Sequence, residues 1–215
     1  MPKLGMMLVG GAICLLIGVI FTLIGLGVQR ETRRLESLPI LTAAAIRASD
    51  DGRPAGLDAR IAERNELYYE GMVAYVRQEY RGEKCSSNND NCESIWVEDE
   101  RVTPPLWLDA PDGRVLVMNN DYTLQNGPVS HQTGPQLIKN ETKAYQGFVI
   151  GNSVFVVGHV VAGHDPPAFH AEAIYGGDST SHIRSTRLAG RVFFWLGLTL
   201  SLTGLAFIAA RFLKN

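Results

Sequence analysis

The sequence predicts a mainly β domain, barrel- or sandwich-like, inserted between two transmembrane α-helices. Three observations predict it. Two long runs without a charged residue lie near the two ends, Leu4–Val28 and Val192–Ala210. Between them the pattern turns strand-like, as short apolar runs set off by turn residues. Two cysteines, Cys85 and Cys92, bracket a wholly polar stretch, SSNNDN, between two of those runs.

A helix needs about 20 apolar residues to span a bilayer, and both end runs meet that length. Inside hydrocarbon the backbone must satisfy its own hydrogen bonds, so both are expected to be helices. The first run is too long for an ordinary signal-peptide core, and QRETRR follows it instead of a small-x-small cleavage site. It is therefore expected to be kept as an anchor. The first helix is expected to continue through QRETRRLES until Pro39 stops it. The resulting layout is a first transmembrane helix over 4–28, a juxtamembrane linker over 29–39 and a β-rich domain over 40–176. A second linker covers 177–191 and a second transmembrane helix 192–210.

Gly11, Gly18 and Gly25 are seven apart in the first run, and Gly190, Gly197 and Gly204 are seven apart in the second. Seven residues make almost two helical turns, so each set shares one face. Small residues on one face let helix backbones approach closely in lipid. The two helices run antiparallel, and the two sets fall at nearly equal depths. A packed hairpin is expected, with a homo-oligomer through the same glycine faces as the alternative. Neither span holds an ionisable residue, which argues against transport by this chain alone.

The strands expected in the domain are Leu41–Arg47, Leu57–Ala62, Gly71–Glu79, Ser94–Glu100, Leu106–Asp109, Arg114–Met118, Tyr145–Ile150 and Ser153–Val161, with Ala168–Tyr175 as a weaker ninth. DDGRPAG, APDG, QNGP, QTGP and IGN supply turns between them. Many short strands at close spacing suggest a barrel or sandwich. Phe155–Val161 is apolar on both faces and is expected to be central.

The cysteines fall at the base of a hairpin loop, where two thiols can reach bonding distance. A disulfide persists only in an oxidising compartment and would place the domain outside the cytoplasm. The alternatives are a pair of exposed thiols or half of a zinc site, which would need His or carboxylate partners. Arg30, Arg33, Arg34, Arg184, Arg187 and Arg191 flank the spans on the domain side, against Lys3, Arg211 and Lys214 on the other. Those arginines favour the opposite, cytoplasmic placement, although long loops translocate largely regardless of charge.

The segment YQGFVIGNSVFVVGHVV resembles the "G-D-x-V-x-V-x-G-x-V" strand pair of the GIDE-type domain family, also called the beside-a-membrane domain. PPLWLDAPDGRVLV resembles that family's "F-x-L-x-D-x-x-G-x-V-x-V" segment, and LDARIAERNELYYEGMVAYVRQEY its earlier strands. The resemblance runs from about Pro39 to Gly163. It implies a β module between two membrane spans, as in mitochondrial ubiquitin ligases of the Mulan kind. Asn152 stands where the family has Asp. The ligases carry a RING after the second span, whereas five residues follow Ala210 here and bring no zinc ligands. Ligase activity is therefore not expected. A regulatory role with a separate effector is what the resemblance leaves.

His159, His164 and His170, with Asp165 beside them, are candidate ligands for zinc or another divalent metal, though their spacing matches no strict metal motif. GNSVF around Ser153 lacks the last glycine of a G-x-S-x-G nucleophile elbow. Glu98 and Glu100 share a face on a strand and could pair for acid–base work, or simply solvate an edge. Asn140-Glu-Thr is a glycosylation acceptor if the source glycosylates secreted chains. Net charge is −2 with no basic block, which argues against nucleic acid as a partner. The expected function is a non-enzymatic, membrane-anchored binding, accessory or regulatory protein without a cofactor. Its partners would be the membrane and a protein or larger membrane complex. A metal-dependent or hydrolytic ectodomain built on the three histidines is the alternative.

Overall fold

The computed structural model describes the backbone of residues 2–85, 92–133 and 142–212, and side chains over 9–85, 92–131 and 142–210. The Asn140 sequon lies outside these residues. The chain forms two compact units, Leu38–Ser179 and a second made of the two ends, Met1–Ser37 with Thr180–Asn215.

The end unit is a hairpin of α1 (Pro2–Ser37) and the last helix of the chain, Ser179–Phe212, which begins inside the stretch assigned to the 177–191 linker. Both helices are long and apolar enough to cross a membrane. All six glycines of the two seven-residue series are buried. A Cβ on Gly18 would sit 2.5 Å from the Ser201 nitrogen, and one on Gly197 would sit 2.4 Å from the Thr22 nitrogen. A Cβ on Gly204 would meet the Gly11 carbonyl at 2.7 Å, and one on Gly25 the Phe194 nitrogen at 2.6 Å. Gly11 and Gly190 have closest neighbours at 3.1 Å, whereas Gly10 and Gly27 face open space. Backbone therefore approaches backbone closely at these glycines, and Phe21 and Phe193 stack across the hairpin at 5.9 Å. Val9, Leu16, Leu23, Trp195 and Leu202 are all more than half exposed.

The Leu38–Ser179 unit opens with the one-turn helix α2 (Ala43–Arg47), where a strand over Leu41–Arg47 is expected from the sequence. Three successive alanines favour helix, and capping fixes it. The Thr42 side chain accepts from the Ala45 N–H, and the Asp112 carboxylate accepts from Ala43 and Ala44 at 2.8 and 3.1 Å.

Ten strands follow. They are β1 (Pro54–Ile61), β2 (Met72–Cys85), β3 (Cys92–Val102), β4 (Leu106–Ala110), β5 (Gly113–Val117), β6 (Thr123–Gln125), β7 (Val129–Thr133), β8 (Lys143–Val149), β9 (Ser153–Val161) and β10 (Ala168–Gly176). The sequence pattern does not mark β6 or β7, because both lie in the turn-rich stretch YTLQNGPVSHQT. The last helix is α3 (Ser179–Phe212).

Strands β5, β4, β1, β9 and β10 form a sheet that closes into a five-stranded barrel when β10 pairs with β5. Alternation fills the interior. Ala55, Leu57, Ala59 and Ile61 of β1 point inward with Leu106, Leu108, Val115, Val117, Val154, Val156, Val160, Phe169 and Ile174. Strand β9 lies between β1 and β10, and its outward Phe155 and Val157 are buried as well. Phe155 stacks with Tyr175 at 5.9 Å.

Closure is a parallel contact of only two register pairs, Ala168↔Leu116 and Phe169↔Val117. Beyond it the chain leaves β10 and returns as β6, which pairs with β10 from Ala173. The Asn119 side chain fills the gap. Its amide donates to the Ala171 carbonyl and accepts from the Ala171 N–H, both at 2.8 Å, as a strand neighbour would. Across the sheet, β10 carries a bulge between Ala171 and Ala173, opposite Gly158. A Cβ on Gly158 would lie 2.0 Å from the His170 carbonyl, so only glycine fits. Asn65 repeats the device at the other rim, accepting from the Trp107 N–H at 2.7 Å and donating to its carbonyl at 2.8 Å.

A second sheet, in the order β3-β2-β8-β7, gives Val73, Ala74 and Phe148 to the barrel core. Strand β2 pairs with β8 only from Met72 to Glu79. Past Tyr80, β2 pairs among the described residues only with β3, as a two-stranded ribbon that ends at the register pair Cys85↔Cys92. A disulfide joins these two residues. At the ribbon's base, Tyr80 packs edge-on against Trp96 at 5.4 Å.

Replacing Asn119 by Ala leaves the N–H and carbonyl of Ala171, itself 1% exposed, without partners. The substitution is expected to lower stability by about 2 kcal/mol, measured as a shift in urea midpoint at unchanged slope.

Candidate functional site

The outward face of the second sheet brings together the densest set of aromatic and charged side chains in the β unit. Register builds it. Glu100 of β3 stands opposite Arg77 of β2, Arg77 opposite Tyr145 of β8, and Tyr145 opposite His131 of β7. One row therefore crosses all four strands. In the next row Tyr75 faces Gly147, which has no side chain to resist it. A Cβ on Gly147 would come 2.8 Å from the Tyr75 Cβ.

The 3-10 turn Tyr69–Gly71 lays Tyr69 on this floor, with Glu70 at φ 50° and Gly71 at φ 76°. Tyr69 stacks on Tyr145 with ring centroids 3.9 Å apart. Tyr75 meets Tyr145 at 5.6 Å, and His131 lies 6.0 Å from Tyr69. Tyr75 and Tyr145 are buried, Tyr69 is half-buried and His131 is exposed. The result is an aromatic patch with one open ring edge.

Its charged border depends on a bulge. Strict alternation would put Glu98 and Glu100 on one face. A register shift between Arg77 and Gln78 instead lets Asp99 and Glu100 both reach Arg77. Arg77 grips Asp99 through two contacts of 2.9 Å and also holds Glu100. Glu98 turns to Arg101, at 2.8 and 3.0 Å. The Arg77 hydrogen bonds hold the Asp99 carboxyl below the usual carboxylate range, and those of Arg101 do the same for Glu98. These carboxylates are tied to arginines, an arrangement that fixes the face's shape.

Glu100 also accepts from the Tyr75 hydroxyl at 2.7 Å. Burial, followed by that hydrogen bond and the charge of Glu100, pushes the Tyr75 phenol up to about 12. The patch went unmarked in the sequence. Tyr75 and Arg77 sit two apart in a strand, but nothing local signals that Tyr69 folds back over Tyr145.

The three histidines are placed differently. His159 and His170 are register partners on β9 and β10. Their rings stack at 4.6 Å. His170 Nδ1 is buried without a hydrogen-bond partner among the described residues. His164 is exposed in the turn after β9, and Asp165 pairs with Arg47 at 2.8 Å. Among the described residues, the one set of three metal-type ligands within common reach is Glu83, Cys85 and Cys92. Both of its sulfurs are already bonded to each other. Asn152 closes the Val149–Asn152 turn: its side chain accepts from the Val149 N–H at 2.8 Å, and Gly151 supplies φ 82°.

Tyr75 and Tyr122 give the domain an alkaline limit. Tyr122 is fully buried, donates to the Pro104 carbonyl at 2.6 Å, and has its ionisation raised by burial. Both phenols ionise more readily in the unfolded chain, near the ordinary value of about 10. Their stabilisation is complete below that pH and falls as pH rises from 10 towards 12 and beyond. Tyrosine absorbance followed against pH is expected to show a late-ionising fraction that appears together with loss of near-ultraviolet circular dichroism.

No protein-family model matches the chain, and no curated protein matches it.

Proposed function

We propose that the chain is a membrane-anchored, non-enzymatic binding or accessory protein whose β domain stands in an oxidising, extracytoplasmic compartment. One observation carries this reading. The chain combines a disulfide in one unit with, in the other, two long helices that expose Val9, Leu16, Leu23, Trp195 and Leu202. Apolar surface on that scale is unfavourable in water by about 25 cal/mol per Å² and is satisfied by lipid. A disulfide persists outside the reducing cytoplasm. The flanking arginines pull towards the opposite topology, but a long translocated loop overrides them.

A protein partner is the ligand class that the outer face of the second sheet suits. Tyrosine and arginine are enriched in such interfaces, and Tyr69 offers a half-buried ring on a rigid aromatic floor. The likeness of YQGFVIGNSVFVVGHVV to the GIDE-type segment fits a regulatory role beside a membrane.

Thiol labelling of intact cells with a membrane-impermeant maleimide tests the placement. Cys85 and Cys92 are expected to react only after reduction, and without permeabilisation. Labelling that requires permeabilisation sinks the extracytoplasmic reading. For the binding role, the full chain purified in mild detergent is expected to carry a stoichiometric protein partner. Tyr69→Ala is expected to lose that partner while the barrel keeps its circular dichroism. Recovery of the wild-type chain alone, or equal recovery with the variant, would count against it.

A further inference from the structure

We propose that the α1–α3 hairpin carries a binding site for one anionic phospholipid, at the end where α1 finishes and α3 begins. The inference rests on the reading that these helices cross a membrane. A cavity there is lined by Gln29, Thr32, Arg33 and Glu36 of α1 and by Arg187 and Arg191 of α3. It opens beside the last glycine contact, where Gly190 meets Val28 and Gln29. Past this point the helices carry long polar side chains on the seam instead of glycine, which opens room between them.

The charges in the cavity do not cancel. Arg187 holds Glu36, at 2.8 Å through Nε and by a second contact. That pair neutralises itself. Arg33 and Arg191 make no hydrogen bond or ion pair among the described residues. Two unpartnered guanidinium groups therefore face one cavity, with the Thr32 hydroxyl already donating to the Val28 carbonyl. Guanidinium forks suit phosphate oxygens, which accept two parallel N–H bonds.

Depth favours a lipid over a free ion. Arg191 directly precedes the apolar run that begins at Val192. Arg33 lies five residues beyond Val28, or about 7.5 Å along a helix. The headgroup layer extends roughly 5–7 Å beyond the hydrocarbon on each side. Both guanidinium groups thus fall at phosphate depth. Below Arg191 on α3, Val192 and Trp195 are more than half exposed and offer an apolar track for an acyl chain. Trp195 is four residues on, hence on the same side of the helix. A zwitterionic lipid brings its own ammonium to compete with the arginines, whereas phosphatidylglycerol brings an uncompensated phosphate. Basic pockets between membrane helices on one leaflet are suited to such headgroups.

The test uses the full chain in nanodiscs of phosphatidylcholine doped with phosphatidylglycerol, with retained lipid counted by native mass spectrometry. Wild type is expected to keep one phosphatidylglycerol. The double variant Arg33→Gln, Arg191→Gln is expected to bind it roughly thirtyfold more weakly, as for two basic groups acting on an anionic headgroup. Arg30→Gln, Arg184→Gln removes two nearby arginines outside the cavity and is expected to bind like wild type. Equal retention by wild type and the cavity variant overturns the proposal. So does equal loss in both double variants, which would leave only a diffuse basic belt. Displacement of the lipid by millimolar inorganic phosphate would also overturn it, by making the occupant a free ion. Alkaline carbonate extraction of native membranes separates the two levels of failure. A chain released into the supernatant refutes the anchoring itself, whereas a chain left in the pellet with unchanged lipid counts refutes the cavity alone.

Discussion

A five-stranded barrel exists only if its first and last strands meet, and here they meet across two residue pairs, Ala168↔Leu116 and Phe169↔Val117. Every other element of the β unit depends on that seam. The contact is parallel, so it cannot arise from a local hairpin. It is also short, because the chain leaves β10 after Met118, whose N–H donates to the Phe169 carbonyl at 3.0 Å. The amide of Asn119 substitutes for the missing strand at Ala171, and the bulge at Glu172 is accommodated because Gly158 opposite has no side chain. Three residues far apart in sequence thus act at one place. With the seam closed, the interior of Val, Leu, Ile and Phe is sealed, and the sheet has no free edge at β5 along that contact.

The second sheet grows from this closed body and serves a different end. Its inner face gives Val73, Ala74 and Phe148 to the barrel. Its outer face is thereby held rigid against a packed core. In the proposed binding role, rigidity matters because the tyrosines and the Arg77 network serve recognition best if their geometry is fixed before a partner arrives. The two helices, whose stretches Leu4–Val28 and Val192–Ala210 carry no charge, are proposed to anchor the chain in a bilayer. Under the lipid-site proposal, Arg33 and Arg191, anomalous as topology signals, act as headgroup contacts.

Much of this was legible from residue order alone. Apolar runs long enough to span lipid, seven-residue glycine spacing and alternating valines are local patterns that map directly onto helix faces and strand faces. Leu41–Arg47 misled because most of its apolar residues are alanines, which fit either structure. Asp112, distant in sequence, decides for helix by accepting the free N–H groups of Ala43 and Ala44. Strands β6 and β7 were hidden among glycine, proline and asparagine, since each is specified by its neighbour and not by its own composition. The roles of Asn65 and Asn119 could not be read at all. An amide that imitates backbone is recognisable only once the strand it completes is in place. The aromatic patch was invisible for the same reason, since a one-residue bulge in β3 decides which carboxylates face Arg77.

The long β2–β3 ribbon carries one more implication. From Glu79 to Cys85 it advances about 20 Å at the rise of an extended chain. Over most of that distance β2 has, among the described residues, only β3 beside it. Paired strands without a third are barely stable in water. The sulfur bridge at the far end and the Tyr80–Trp96 contact at the near end clamp the ribbon from both directions. The ribbon is therefore a stiff arm and not a trailing loop. An arm whose far end is held by an oxidised clasp reports the redox state of its surroundings: in a thiol-rich milieu it would soften from the tip inward and become food for proteases, while the barrel behind it stayed whole.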